Sequence, residues 1–160
     1  MRETKNYYLE DDDFIAMWLL ATTREIISKA RNRELASLNV EATAEQAGIL
    51  FCVKASKEPP TPAAIARCVL KESQTVSGLL KRMRERGLLE KSVDPDRRNW
   101  ARIALTQKGE EAFKKSIERK AYHRFLSVLS SEERRQLRSI LGKLRDKVLE
   151  EMLMERPTFP

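Results

Sequence analysis

The chain has one histidine and two cysteines among its 160 residues. His123 stands alone in KAYHRF, and no paired carboxylates, metal-ligand cluster or glycine-rich phosphate loop accompany it. The expectation is therefore a protein that is not an enzyme and carries no metal or other cofactor. Cys52 and Cys68 are too few for a disulfide framework. Cys52 sits in the apolar run ILFCV, where a free thiol is ordinarily core. Cys68 follows Arg67, a setting that favours a thiolate, but the sequence supplies no resolving partner for it.

Glycine (5) and proline (6) are scarce as well, which excludes collagen-like and low-complexity chains and favours helix. Long hydrophobic runs are missing. The longest, Phe14 to Ala21, is far short of the roughly 20 residues that span a bilayer. The opening MRETKNYYLEDDD lacks the apolar stretch of a signal peptide, so a cytoplasmic location is expected. Without repeats or a linker, 160 residues fit a single domain.

Charge is what the chain has in plenty: 34% of residues are charged, with a net +7 and a pI near 9.6. Residues 1–60 carry eight basic against ten acidic side chains, and residues 106–160 carry thirteen against nine. The densest excess lies between them, where residues 61–105 hold ten Lys and Arg against five Asp and Glu. A polyanionic partner follows from that excess.

Spacing and caps give the elements. Asp11 to Asp13 complement a helix N-terminus and lead into Phe14, Ile15, Trp18, Leu19, Thr22 and Ile26, predicting a helix from about Asp12 to Leu38. Thr43-Ala-Glu-Gln46 has the form of a capping box, and Pro59-Pro60 ends the helix it opens. Thr61-Pro62 starts a short third helix to about Leu70. After Lys71-Glu72-Ser73 a fourth helix runs to Gly87, with Val76, Leu79, Leu80 and Met83 on one buried stripe. Two short helices joined by a tight turn, the second basic on its outer face, read as helix-turn-helix. Leu88–Val93 and Trp100–Leu105 then form a hairpin, with Ala101, Ile103 and Leu105 sharing a face. Thr106 caps a helix through Phe113, Ile117 and Ala121. Ser130-Ser-Glu-Glu133 opens the last helix, with Leu137, Ile140, Leu141, Leu144, Val148 and Met152.

A hairpin directly after a helix-turn-helix is a wing. Asp94-Pro95-Asp96-Arg97 has the chemistry of a type I turn, which accounts for Asp94 and Pro95 but not for Arg97 and Arg98. Long cations at such a tip suit the narrow, electronegative minor groove, with Asp94 or Asp96 placed to hold a guanidinium extended. Trp100 reads as hairpin packing. Ser73, Gln74, Thr75 and Ser77 begin the recognition helix, where side chains reach base edges, and Gln74 matches adenine bidentately. Lys81, Arg82, Arg84 and Arg86 suit phosphate, with Glu85 and Glu90 as competing partners for Arg84 or Arg86.

The segments TAEQAGIL, TPAAIARCVLKESQTVSGLLKRMRERGLLEKS, DPDRRNWARIALTQKG and LSSEERRQLRSILGKL resemble the MarR family of winged-helix transcriptional regulators over about residues 40–145. The resemblance implies a mainly helical fold with a small hairpin. Residues 43–105 would form the winged helix-turn-helix lobe, and residues 1–40 and 106–160 the dimerisation helices. It further implies a homodimer on double-stranded, pseudo-palindromic operators, usually a repressor released by a small molecule or by oxidation. Trp18 and Phe51 are candidates to line an effector pocket, with plain core as the commoner role of such aromatics, and the ligand-binding residues stay unassigned. Two positions depart from the family. Gly78 stands where many members have Arg, and the usual wing-arginine offset from Leu105 falls on Asn99, with Arg98 one residue further away. A winged-helix module that binds protein instead of DNA is the alternative, though it would not need the basic face from Gln74 to Arg86.

Overall fold

The computed structural model describes residues 11–94, 101–118 and 120–154. In chain order these form α1 (Asp12–Ser37), α2 (Ala44–Ala55), α3 (Pro62–Val69), α4 (Ser73–Glu85), β1 (Leu89–Val93), β2 (Ala101–Leu105), α5 (Gln107–Ser116), α6 (Lys120–Leu126) and α7 (Ser131–Glu151). The fold is mostly helical around one antiparallel hairpin. No helix among the described residues is long and apolar enough to cross a membrane.

Helix starts fall where the side chains can satisfy them. Asp11 accepts the amides of Asp13 and Phe14, and Thr61 accepts that of Ala64 ahead of Pro62. Thr43 with Gln46 and Ser130 with Glu133 form reciprocal capping boxes. The core lies between α2, α3, α4 and the hairpin, where Ile49, Leu50, Ile65, Val76, Met83 and Ile103 are almost completely buried. Leu35 is the contribution of α1 to that core.

Gly87, in the left-handed region at φ +72°, turns the chain from α4 into the hairpin. Leu89 pairs with Leu105 and Val93 with Ala101. Ile103 N–H donates to the Pro60 carbonyl at 3.0 Å, so the diproline before α3 flanks β2. At the exit, Thr106 donates its amide to the Leu88 carbonyl (3.2 Å) and its hydroxyl to that of Gly87 (2.5 Å). The same hydroxyl accepts the Gly109 amide (3.0 Å). The helix starting there passes so close to Leu88 that a Cβ on Gly109 would lie 2.0 Å from its carbonyl oxygen. The Leu-Thr-x-x-Gly pattern is thus a steric and hydrogen-bonded joint.

The sequence predicts one helix from Thr106 through Ala121, but the structure breaks it between α5 and α6. The cause is α1, 85 or more residues away in sequence. Arg31, 3% exposed, donates to Glu34 and to the Ser116 carbonyl, and lies 5.4 Å above the Tyr122 ring. Glu34 accepts the Ala121 amide at 2.7 Å. One side chain caps the end of α5 while its neighbour caps the start of α6.

Both ends of the chain keep apolar faces uncovered. Phe14, Met17, Trp18, Leu19 and Ile26 of α1 are exposed, as are Leu137, Ile140, Leu141, Val148 and Met152 of α7. Leu149 is the buried residue of α7.

Candidate nucleic-acid interface

Helices α3 and α4 meet at Leu70, which takes a left-handed conformation (φ +52°) to make the tight turn. The stripe Val76, Leu79, Leu80 and Met83 fixes the inner face of α4 against the core. Its helical phase then determines what points outward. Ser73, Gln74, Thr75, Ser77, Lys81, Arg82 and Arg84 are all exposed, on the side away from that stripe. The first turn of α4 has no side-chain cap, since Glu72 makes no capping bond, so its amides face solvent partners. Gly78 lies on this outer face in open space.

The cations of α4 divide by role. Lys81 lies 4.0 Å from Glu85 in an exposed pair of small energetic weight. Arg82 and Arg84 have no carboxylate partner among the described residues. Arg86 pairs with neither Glu85 nor Glu90: it reaches the Glu41 carbonyl (3.2 Å) and Gln46 Oε1 (3.5 Å). Lys108 joins this corner, donating to Glu41 (2.8 Å) and to the Arg86 carbonyl (3.0 Å). Arg86 therefore fastens the end of α4 to α2 and leaves the phosphate-gripping set.

Arg97, Arg98, Asp96 and Trp100, expected at the tip and second strand of the wing, lie outside the described residues. At the described base the guanidinium that Asp94 holds is that of Arg102, which the sequence reading did not single out. Asp94, 4% exposed, accepts from Arg102 Nε at 2.7 Å and from its Nη2 at 2.6 Å, while Nη1 donates to the Pro59 carbonyl at 3.1 Å. The Asp94 carboxylate thus holds the guanidinium of the opposite strand, which is also tied to the diproline. The cross-strand register, Ser92 opposite Arg102, was the available signal.

A second feature lies between α1, α2, the α3–α4 turn and α6. A cleft of about 590 Å³ is lined by Ile27, Phe51, Val69 and Tyr122, with Arg24 and Lys71 among its polar groups. A smaller recess of about 230 Å³ shares Phe51 and Tyr122 and ends at Arg31. Lys71 is paired with Glu45 at 2.5 Å. Phe51 lines the cleft. Trp18 does not, being an exposed residue of the outer end of α1.

Cys52 is buried, as expected, and Cys68 lines the cleft. Burial, then the neighbouring Cys68 thiol, pushes the Cys52 thiol far above its ordinary range. Cys68 therefore has a thiol neighbour, contrary to the sequence reading, but one that resists ionisation.

A hydrophobically anchored, outward-basic second helix followed by a two-stranded hairpin defines a winged helix-turn-helix protein. The MarR family profile matches residues 41–99. That segment resembles the family's winged helix-turn-helix, and the chain as a whole shares its fold with solved transcriptional regulators. The organohalide-sensing transcriptional regulator RdhR-CbdbA1625, in its 2,4-dichlorophenol-bound form, is 25% identical with a TM-score of 0.85, covering 100% of this chain and 97% of that one. MepR of S. aureus, in complex with DNA, is 23% identical with a TM-score of 0.74, covering 82% and 96%. CouR from Rhodococcus jostii RHA1, bound to p-coumaroyl-CoA, is 21% identical with a TM-score of 0.70, covering 86% and 93%. No curated protein matches the chain in sequence.

Proposed function

We propose that the chain is a homodimeric, sequence-specific regulator of transcription, a cytoplasmic repressor that sits on pseudo-palindromic operators and leaves them when a small molecule binds. The observation that carries this reading is the outer face of α4, basic and uncovered, on a helix whose other face is locked into the core. Ser73, Gln74, Thr75 and Ser77 enter the major groove and read base edges. Lys81, Arg82 and Arg84 bind phosphate and set the register. Arg97 and Arg98 extend the hairpin into the flanking minor groove, with the Asp94–Arg102 pair fixing its base. The effector enters the cleft lined by Phe51 and Tyr122, which lies between α1 and the helix-turn-helix. A relative holding 2,4-dichlorophenol supports an aromatic effector of that size.

Fluorescence anisotropy against the DNA upstream of the protein's own gene tests the reading. Log K falls with log salt at roughly 0.9 per neutralised phosphate. Lys81→Ala, Arg82→Ala and Arg84→Ala each lower that slope by about one unit without changing sequence preference. Gln74→Ala relaxes preference at one base pair by about 1–3 kcal/mol. Binding that is salt-insensitive, or indifferent to these substitutions, refutes the DNA reading and favours a protein-interaction module.

A further inference from the structure

The cleft beside α1 holds chemistry that DNA binding leaves unused. Cys52, in the middle of α2, is 2% exposed, whereas Cys68, in the last turn of α3, is half-buried and lines the cleft. The two helices pack together, and Cys68 packs on the buried cluster that contains Cys52, so the two free thiols are neighbours. One sulfur is reached from the cleft and the other stands behind it. Among the described residues no group of three or more His, Cys, Asp and Glu side chains is placed to hold a metal ion. The carboxylate in the cleft lining, Glu45, is engaged by Lys71. Zinc, which takes four ligands, finds too few of them here. Adjacent thiols suit a soft centre that needs only two sulfurs and bends between them.

We infer that Cys52 and Cys68 form a chelating site for a trivalent organoarsenical that carries an aromatic ring. Inorganic arsenite calls for a third thiolate, which the described residues do not supply. In an arylarsonous acid, with one aryl group and two hydroxyls on arsenic, carbon fills that third position. The ring lies against Phe51 and Tyr122, which line the same cleft as Cys68. Cys68 reacts first, because it is the thiol that the cleft exposes. Its sulfur lone pair bonds arsenic, one As–O bond breaks, and the hydroxide leaves with the thiol proton as water. Cys52 repeats the step within the same complex and releases a second water. Two S–H and two As–O bonds give way to two As–S and two O–H bonds, and arsenic stays trivalent, so no oxidant or reductant is consumed. The product is uncharged, as an apolar setting requires. The same burial pushes the Cys52 thiol up, away from the thiolate, and disfavours a charged complex. Closing the second bond within a preformed pair strengthens retention by about 10²–10⁴ over a single thiol.

Phenylarsine oxide, which hydrates to phenylarsonous acid in water, is the probe, read by native mass spectrometry of the full chain. Wild type gains one phenylarsenic group per chain and loses both thiols to a thiol reagent. It keeps the adduct through a wash with excess β-mercaptoethanol, whereas dimercaptopropanol, a competing dithiol, removes it. Cys68→Ala and the volume-conserving Cys52→Val each lower retention at least about 100-fold. Circular dichroism confirms the fold of each variant. Should Cys52→Val fail to fold, Cys68→Ala decides alone, since its position is only half-buried. Phe51→Leu lowers retention of the phenyl compound about fivefold and leaves that of methylarsonous acid unchanged. A wild-type adduct that the monothiol strips as readily as from Cys68→Ala overturns the chelate. So does retention as strong in the urea-unfolded chain as in the native one, because the fold would then contribute no preformed pair. Equal losses of the phenyl and methyl compounds in Phe51→Leu overturn the seat of the ring. Binding is read on the chain without DNA, so failure here leaves the regulator and its non-covalent effector as proposed above.

Discussion

Replacing Gly109 by alanine probes the joint between the wing and the first helix after it. The new methyl would start 2.0 Å from the Leu88 carbonyl oxygen and 3.1 Å from its carbon. That is roughly 1.5 Å short of an ordinary non-bonded separation. Neither side gives cheaply, because Leu88 is fully buried and its carbonyl accepts the Thr106 amide. Overpacking costs about 1–3 kcal/mol, and a rigid backbone neighbour puts this site at the upper end. Separating the joint also loses the Thr106–Leu88 hydrogen bond, about 1 kcal/mol. Against this, alanine gains about 1 kcal/mol over glycine inside a helix. The net expectation is a destabilisation on the order of 3 kcal/mol, read as a lower urea midpoint at fixed protein concentration. Gly48→Ala is the control, since a Cβ there meets nothing within 4 Å and should stabilise by up to about 1 kcal/mol. The reasoning is refuted if Gly109→Ala is as stable as wild type, or gains like Gly48→Ala.

Other outcomes follow from the buried ionic corner and the thiols. Arg31→Met leaves Glu34 and the Ser116 carbonyl without their donor and should cost about 3–5 kcal/mol in chemical unfolding. Adding Glu34→Gln should recover part of that loss, and strict additivity would show the two side chains to be uncoupled. Burial raises the Glu34 carboxyl, but the Ala121 amide, the Arg31 hydrogen bond and the charges of Arg31 and Arg124 together outweigh it and hold it below the usual 4.5. Its stabilisation is present above pH 4.5 and lost as pH falls through the depressed value. The acid limb of the stability curve should therefore be shallower in Glu34→Gln, and superimposable acid limbs would remove Glu34 from that role. In the native protein a disulfide reagent should label Cys68 well before Cys52, as peptide mapping after short exposure would show; equal rates would contradict the burial of Cys52.

Much of this protein was settled by the sequence alone, because local chemistry suffices for it. Thr43 with Gln46, Thr61 with Pro62, and Ser130 with Glu133 satisfy the amides of their own helices, so those starts are where the caps put them. The spacing of Val76, Leu79, Leu80 and Met83 fixed which face of α4 is buried, and with it the exposed face that carries Gln74, Lys81, Arg82 and Arg84. What remained was decided by groups distant in sequence. The α5–α6 break is imposed by Arg31 and Glu34, whose partners are more than 80 residues away. Arg86 was indistinguishable from its basic neighbours until folding brought Glu41 and Gln46 beneath it. Arg102 became part of the wing only through the register that sets β2 against β1, with Asp94 and Pro59 converging on its guanidinium. Periodicity reports which residues share a face, but it cannot say what meets that face. The stripes of α1 and α7 have the pattern of core residues, yet the single chain leaves them in water.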